Sequence, residues 1–298
     1  AATAHSIVCA QRPLDGHHLS HRTSKGSELV TKIRLNHVPD LIEKAGEIRK
    51  HLCRCARYAG NVHLAGPLSA TDVAVAVYYK YLGFDPDNLE DPNRNMFVLS
   101  KGHNGVLLYC IFCDMGLHSW DELLNNYNRI GYSFGAHPNR KYVRGIEVST
   151  GSLGHGLSWS VGFAHANRNE NIDSRIYCLL GDGEMEEGSN WEAIMYAASH
   201  NPDSIVAIVD NNQCSASFMA GENIKWNSMG DCWRAFGWDV REIDGTNMLE
   251  IDRTLASLPP VNLRNPGKPV CIIANTTKGQ GVSYMTDRPY AWHIGGLD

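Results

Sequence analysis

Residues 175–183 read RIYCLLGDG, residues 187–200 EGSNWEAIMYAASH and residues 204–212 SIVAIVDNN. A short apolar run breaks directly into glycines, a stretch of helical spacing follows, and a second continuous apolar run ends in two asparagines. Strands that are apolar throughout, separated by a helix, predict a parallel βαβ unit buried on both faces. The same grammar recurs on either side. RNMFVLS (94–100) is another short strand, ending at SKGHN, and VLLYCIFCDMG (106–116) beyond it reads as a buried helix. KPVCIIANT (268–276) is a fourth strand, ending at TKGQG. The fold class predicted is α/β, a parallel sheet flanked by helices on both faces.

Toward the N-terminus, residues 24–58 place apolar side chains at helical spacing, with Pro39 marking a helix start. A Gly/Asn/His break over 60–67 precedes SATDVAVAVYYKYL (69–82), a buried helix that Ser69 or Thr71 is expected to cap. Neither an internal repeat nor a linker interrupts the chain. The expected organisation is one domain over residues 26–298, preceded by an arm or interface strap over 1–25.

Composition narrows the function classes. The 298 residues are 43% hydrophobic and 20% charged, with 27 basic against 32 acidic side chains, a net charge of −5. An acidic balance argues against a general nucleic-acid binder, which needs a basic face for phosphate. No run reaches the roughly 18 apolar residues of a membrane span. The nine cysteines are odd in number and irregularly spaced, so no disulfide framework is expected, in keeping with a reducing cytoplasm. Cys110 and Cys113 form a C-x-x-C, but without a second Cys or His pair at zinc spacing they read as small buried hydrophobes.

Ligands of open parallel sheets bind beyond the carboxyl ends of the strands. Every polar motif of this sequence falls there: SKGH after one strand, GDG after the next, DNN after the third, TKGQG after the fourth. In GDG (181–183) the glycines admit close approach and the following helix offers free N–H groups to an anion. An Asp between them repels bare phosphate and makes sense when a divalent cation bridges the two. Mg²⁺ or Ca²⁺ takes carboxylate, amide and phosphate oxygens, and Asn211 or Asn212 can supply the amide. Taken singly, each piece reads equally well as a tight turn; 27 residues apart with a strand at each end, they read as a pair.

GDG…NN at this spacing resembles the fingerprint of thiamine-diphosphate enzymes. With SKGH (100–103), STGSLGHG (149–156), GDGEMEEGSNWEA (181–193), VDNNQ (209–213) and TTKGQG (276–281) in this order, the chain closely resembles the N-terminal, diphosphate-binding half of transketolases over about residues 41–296. The resemblance implies thiamine diphosphate and Mg²⁺ as cofactors, Ca²⁺ being able to substitute, on the family's diphosphate-binding fold. It makes Asp182, Asn212 and the main-chain carbonyl of Cys214 the metal ligands. Gly181 and Gly183 come to lie against the diphosphate, and Gly151, Ser152 and Leu153 against the aminopyrimidine. Lys278 faces phosphate. His103 approaches the cofactor, His63 and His137 line a substrate channel, and His293 stands near diphosphate and substrate. Glu187 is the glutamate that communicates with the partner's catalytic carboxylate, whereas Glu184 and Glu186 read as solvated. His155 is left without a role, and the remaining histidines and the tryptophans read as structural.

The family's pyrimidine-binding domain, which carries the catalytic glutamate, is not in this sequence. Two explanations fit, a fragment of a longer enzyme or a split enzyme. The expectation is a split enzyme whose second subunit supplies it, assembled as a heterotetramer, transferring a two-carbon ketol unit between sugars or sugar phosphates. Two alternatives belong beside it. The α subunit of a 2-oxo-acid dehydrogenase also carries GDG…NN, but SKGH, TGSLGHG and His63 speak against it. A non-catalytic regulatory homologue has no physical need of intact metal ligands.

Overall fold

The computed structural model describes residues 33–295, apart from 201, 217, 218, 220, 221, 223, 225 and 226. The arm expected over 1–25 lies outside the described residues.

Five parallel strands form the sheet: β1 (Met96–Leu99), β2 (Ile176–Gly181), β3 (Ile205–Asn211), β4 (Asp239–Asp244) and β5 (Val270–Asn275), in the order β1-β2-β3-β5-β4. Side chains of successive strand residues point to opposite faces, and the core divides accordingly. Phe97, Leu99, Tyr177, Leu179, Val206, Ile208 and Ile272 face one layer of helices: α1 (Val38–Ala59), α2 (Ala65–Ala76), α3 (Gly105–Asp114) and α7 (Met248–Ala256). Val98, Cys178, Leu180, Ala207, Val209 and Ile273 face the other: α4 (Gly156–Asn169), α5 (Gly188–His200) and α6 (Met229–Ala235). Both faces are covered, which is why these strands read as unbroken apolar runs. Each fully buried Ile or Val contributes about 1.5–3 kcal/mol by leaving water.

Three expectations change. The sheet has a fifth strand, β4, whose DVREID pattern conceals it: on the sheet edge only Ile243 is buried, and four of the other five residues are charged. Helix α2 starts at Ala65, ahead of both proposed caps. Pro67 sits in the first turn, where its missing N–H costs nothing. Ser69 and Thr71 instead lie inside the helix: Thr71 Oγ1 donates back to the Pro67 carbonyl at 2.8 Å, and Ser69 Oγ lies 2.8 Å from the Gly66 carbonyl. Glu184, read as solvated, is 2% exposed for reasons that belong to the site.

The C-x-x-C lies in α3 as buried side chains. Cys110 Sγ meets Cys55 Sγ at 3.8 Å, and burial pushes the Cys113 thiol up to about 12. No helix among the described residues is long and apolar enough to cross a membrane.

Candidate active site

The carboxyl ends of β1, β2, β3 and β5 open into one cavity of about 280 Å³, whose lining includes Lys101, His103, Asp182, Asn212, Lys278 and His293. Close backbone approach packs the loops that form it. A Cβ on Gly102 would stand 2.6 Å from Gly151 N, so SKGH can lie against the TGSLG loop only with glycine there. Thr150 Oγ1 donates to Leu99 O at 2.7 Å across the same seam. At the other wall, Val62 and Gly295 exchange N–H···O bonds at 3.0 Å and bring AWHIG onto NVHLAG.

Glu184 fastens three of these motifs together. Its carboxylate accepts from Gly154 N at 2.9 Å, Gly181 N at 3.0 Å and Ser100 Oγ. Burial raises its pKa, opposed by those same donors. Missing it from sequence was a matter of context: in GDGEMEEG one acid of three turns inward, and composition does not say which.

The oxygens of the GDG and NN motifs converge. Asp182 Oδ2 and Asn212 Oδ1 both accept the Cys214 N–H, each at 3.2 Å, while Asp182 Oδ1 accepts Gly183 N at 2.9 Å. Burial, partly offset by Lys101 and reinforced by Asp210, pushes the Asp182 carboxyl up to about 6. A buried carboxylate and an amide oxygen directed at one point are a donor set for a hard divalent cation. Among the described residues no trio of His, Cys, Asp and Glu is set to hold a metal, so a cation here depends on this mixed oxygen set.

Positive charge faces these oxygens. Lys278, 2% exposed, donates from Nζ to Ser215 O at 2.7 Å and contacts His293 Nδ1 at 3.2 Å. An ammonium has only donors, so His293 Nδ1 is the acceptor and its ring proton sits on Nε2. Lys101, also 2% exposed, is paired with Asp210 at 2.7 Å.

Four histidines meet at the mouth. The His63 ring lies 5.5 Å from His103, 6.0 Å from His137 and 5.2 Å from His293, and His103 lies 5.3 Å from His293. Burial lowers all four pKa values, that of His293 to about 3 with help from Lys278, and that of His103 well below the ordinary range with help from Lys101. The cluster is therefore a set of neutral imidazoles at neutral pH.

Of the residues singled out from sequence, His103, Leu153, Gly181, Asp182, Gly183, Asn212, Cys214, Lys278 and His293 line the cavity. His63 and His137 join through the ring cluster, and Gly151 lies against the His137 ring, where a Cβ would come within 3.2 Å. Ser152 and Glu187 are exposed and do not line it. Sequence reasoning passed over Lys101 and Asp210, although both stand inside the motifs SKGH and VDNNQ.

Residues 45–291 match the family described as transketolase, thiamine diphosphate binding domain. The chain is 40% identical over 247 residues to an apulose-4-phosphate transketolase subunit of Phocaeicola vulgatus, a match covering 83% of this chain and 85% of that protein. It is 38% identical over 245 residues to 6-deoxy-6-sulfo-D-fructose transketolase subunit SqwG of a Clostridium species, covering 82% and 87%. With human transketolase it shares 31% identity over 264 residues, 86% of this chain but 41% of that one. The solved transketolase of Campylobacter jejuni superposes with a TM-score of 0.79 at 29% identity, covering 89% of this chain and 41% of its own. The chain thus spans about two-fifths of the single-chain enzymes, and most of the relatives named as subunits.

Proposed function

This chain belongs to the transketolase family and carries its thiamine-diphosphate-binding domain, and from that premise we propose that it is the diphosphate-binding subunit of a two-component enzyme passing a two-carbon ketol unit from a ketose to an aldehyde. When bound, thiamine diphosphate supplies an electron sink beside a carbonyl carbon. The remaining work falls to side chains of this chain and of a second polypeptide bearing the pyrimidine-binding domain and its glutamate, two copies of each forming the enzyme.

Asp182, Asn212 and the Cys214 carbonyl hold Mg²⁺, or Ca²⁺ in its place, by hard oxygens. Lys278 sets positive charge toward the diphosphate, and Gly181 and Gly183 allow it close. Each neutral histidine carries one N–H and one lone pair. His63, His103, His137 and His293 can therefore donate to some substrate oxygens and accept from others, moving a proton without adding fixed positive charge to the cavity. Leu153, with Gly151 and Ser152 in the same loop, gives the cofactor's pyrimidine end an apolar rest. Glu187, exposed beside the loop of Gly154, is left free to meet the second polypeptide.

The observation that carries the reading is the union of an Asp–Asn oxygen pair with four neutral histidines in one cavity at the strand ends. Relatives named as subunits, matched over most of their length, support the division into two polypeptides.

Reconstitution tests it. The chain is mixed with a candidate second subunit, thiamine diphosphate, Mg²⁺, a ketose or ketose phosphate and an aldehyde. Ketol transfer is expected only with every component present, and to be lost in His103→Ala. Decarboxylation of a 2-oxo acid without ketol transfer would overturn the reaction class. A complex that retains no cofactor would leave a non-catalytic homologue.

A further inference from the structure

Beneath the candidate metal position lies an ion pair with a second task. Lys101 Nζ meets Asp210 Oδ2 at 2.7 Å, with side chains 2% and 0% exposed. Two charges removed from water repay their desolvation poorly, and an apolar pair of similar volume often stabilises a core as well. The pair's value is to be sought in what it orients.

Asp210 gathers donors from four directions: Lys101 after β1, Ser69 Oγ on α2 at 2.6 Å, Thr276 Oγ1 after β5, and Asn212 Nδ2 at 3.3 Å. Asn212 Nδ2 also donates to Ser69 Oγ at 3.1 Å. The opposite end of that amide, Oδ1, accepts Cys214 N beside Asp182 Oδ2. A primary amide fits its space either way round, and only its neighbours decide between nitrogen and oxygen. A carboxylate accepts and does not donate, so the amide nitrogen must face Asp210. The oxygen is then obliged to face Asp182.

We propose that the buried Lys101–Asp210 pair is a positioning device for the metal centre: it locks the Asn212 amide so that oxygen, not nitrogen, faces the cation. Lys101 balances the Asp210 charge, so the acceptor that fixes the amide does not confront Asp182 as an unpaired anion. Ser69 completes the lock from α2. Neither Lys101 nor Asp210 needs to touch the metal for this. The inference rests on reading Asp182 and Asn212 as metal ligands.

The test is titration of Mn²⁺ into the full chain in the presence of saturating thiamine diphosphate and the second polypeptide, free Mn²⁺ being read by electron paramagnetic resonance, with circular dichroism and melting recorded on each variant. Lys101→Met with Asp210→Asn removes both charges at nearly constant volume and strands neither. A folded double variant is expected to bind Mn²⁺ about 10–100-fold more weakly, the usual cost of losing an outer-sphere partner. Asn212→Asp, which presents an acceptor oxygen on both sides of position 212, is expected to raise Mn²⁺ affinity more in the double variant than in the wild-type background, a difference a merely structural pair would not produce. Wild-type affinity in the folded double variant overturns the proposal. Should the double variant fail to fold, Ser69→Ala, which disturbs no charge, decides: about threefold weaker binding is expected from the loss of one hydrogen bond, and unchanged affinity overturns the lock. Asp182→Asn separates the two readings, since Mn²⁺ bound there as in the wild type would remove the metal assignment itself.

Discussion

β3 and β4 run parallel to the same strand, β5, one on each side, and both end level with Asn275, which pairs with Asn211 of β3 and with Asp244 of β4. Each carries acids at its carboxyl end. On β3, Asp210 is buried under α2 and the loops after β1 and β5, and its neighbours line the cavity. On β4, Asp244 stays in solvent and closes a turn, accepting from Thr246 N at 2.9 Å and Oγ1 at 2.6 Å. An acid at a strand end is thus not a site by itself. Chemistry appears where helices and loops from several motifs close over the strand's end and take water away, as they do even over β1 at the opposite edge of the sheet.

The largest expected contrast is in cofactor retention. Asp182→Ala or Asn212→Ala should weaken Mg²⁺-dependent retention of thiamine diphosphate about 100-fold or more in equilibrium dialysis, because each removes an oxygen proposed to face the cation. Asp244→Ala should change it less than about twofold. Equal losses would break the comparison. Stability should differ in the same direction. Ile208→Ala, in the buried run of β3, should cost about 2–5 kcal/mol by urea unfolding, whereas Val240→Ala on half-buried β4 should cost below about 1.5 kcal/mol.

Acid should separate the regions next. The unfolded chain protonates His293 near its ordinary 6.5, while the folded chain does so only near 3, held down by burial and by Lys278. Between those values the unfolded state binds more protons, so stability rises with pH across the window and is lost on acidification through it. The melting temperature should fall as pH drops from 7.5 to 5, and His293→Asn should flatten that fall; an unchanged slope would mean the cluster is not neutral. Asp244 behaves oppositely in origin. Its carboxyl is held below 3.8 by Thr246, so its contribution is intact above that value and is lost only in stronger acid. The smallest effect belongs to the exposed Arg234–Glu242 pair, whose Glu242 lies on β4: Glu242→Gln should move the melting temperature by less than about 2 °C.

The same contrast explains what could be read from sequence. β1, β2, β3 and β5 were legible because burial on both faces demands unbroken apolar runs, and the motifs ending them announced the site. β4 was not, since an edge strand with one buried side chain looks like a charged loop. Asp182, Asn212, Lys278 and the four histidines were legible through their motifs. Glu184 was not, because its role follows from which backbone N–H groups converge on it, and those come from residues 154 and 181 as well as the Ser100 hydroxyl. Lys101 and Asp210 hid inside recognised motifs, their partnership spanning 109 residues.

The most direct test of the proposed metal centre is a crystal of the chain with the proposed second subunit grown with thiamine diphosphate and Mn²⁺, and the anomalous difference map at the manganese edge. One peak is expected, bonded to Asp182 and to Asn212 Oδ1 at about 2.0–2.3 Å, with the diphosphate on its other side. A cofactor bound without that peak, or a peak elsewhere on the sheet, would contradict the assignment.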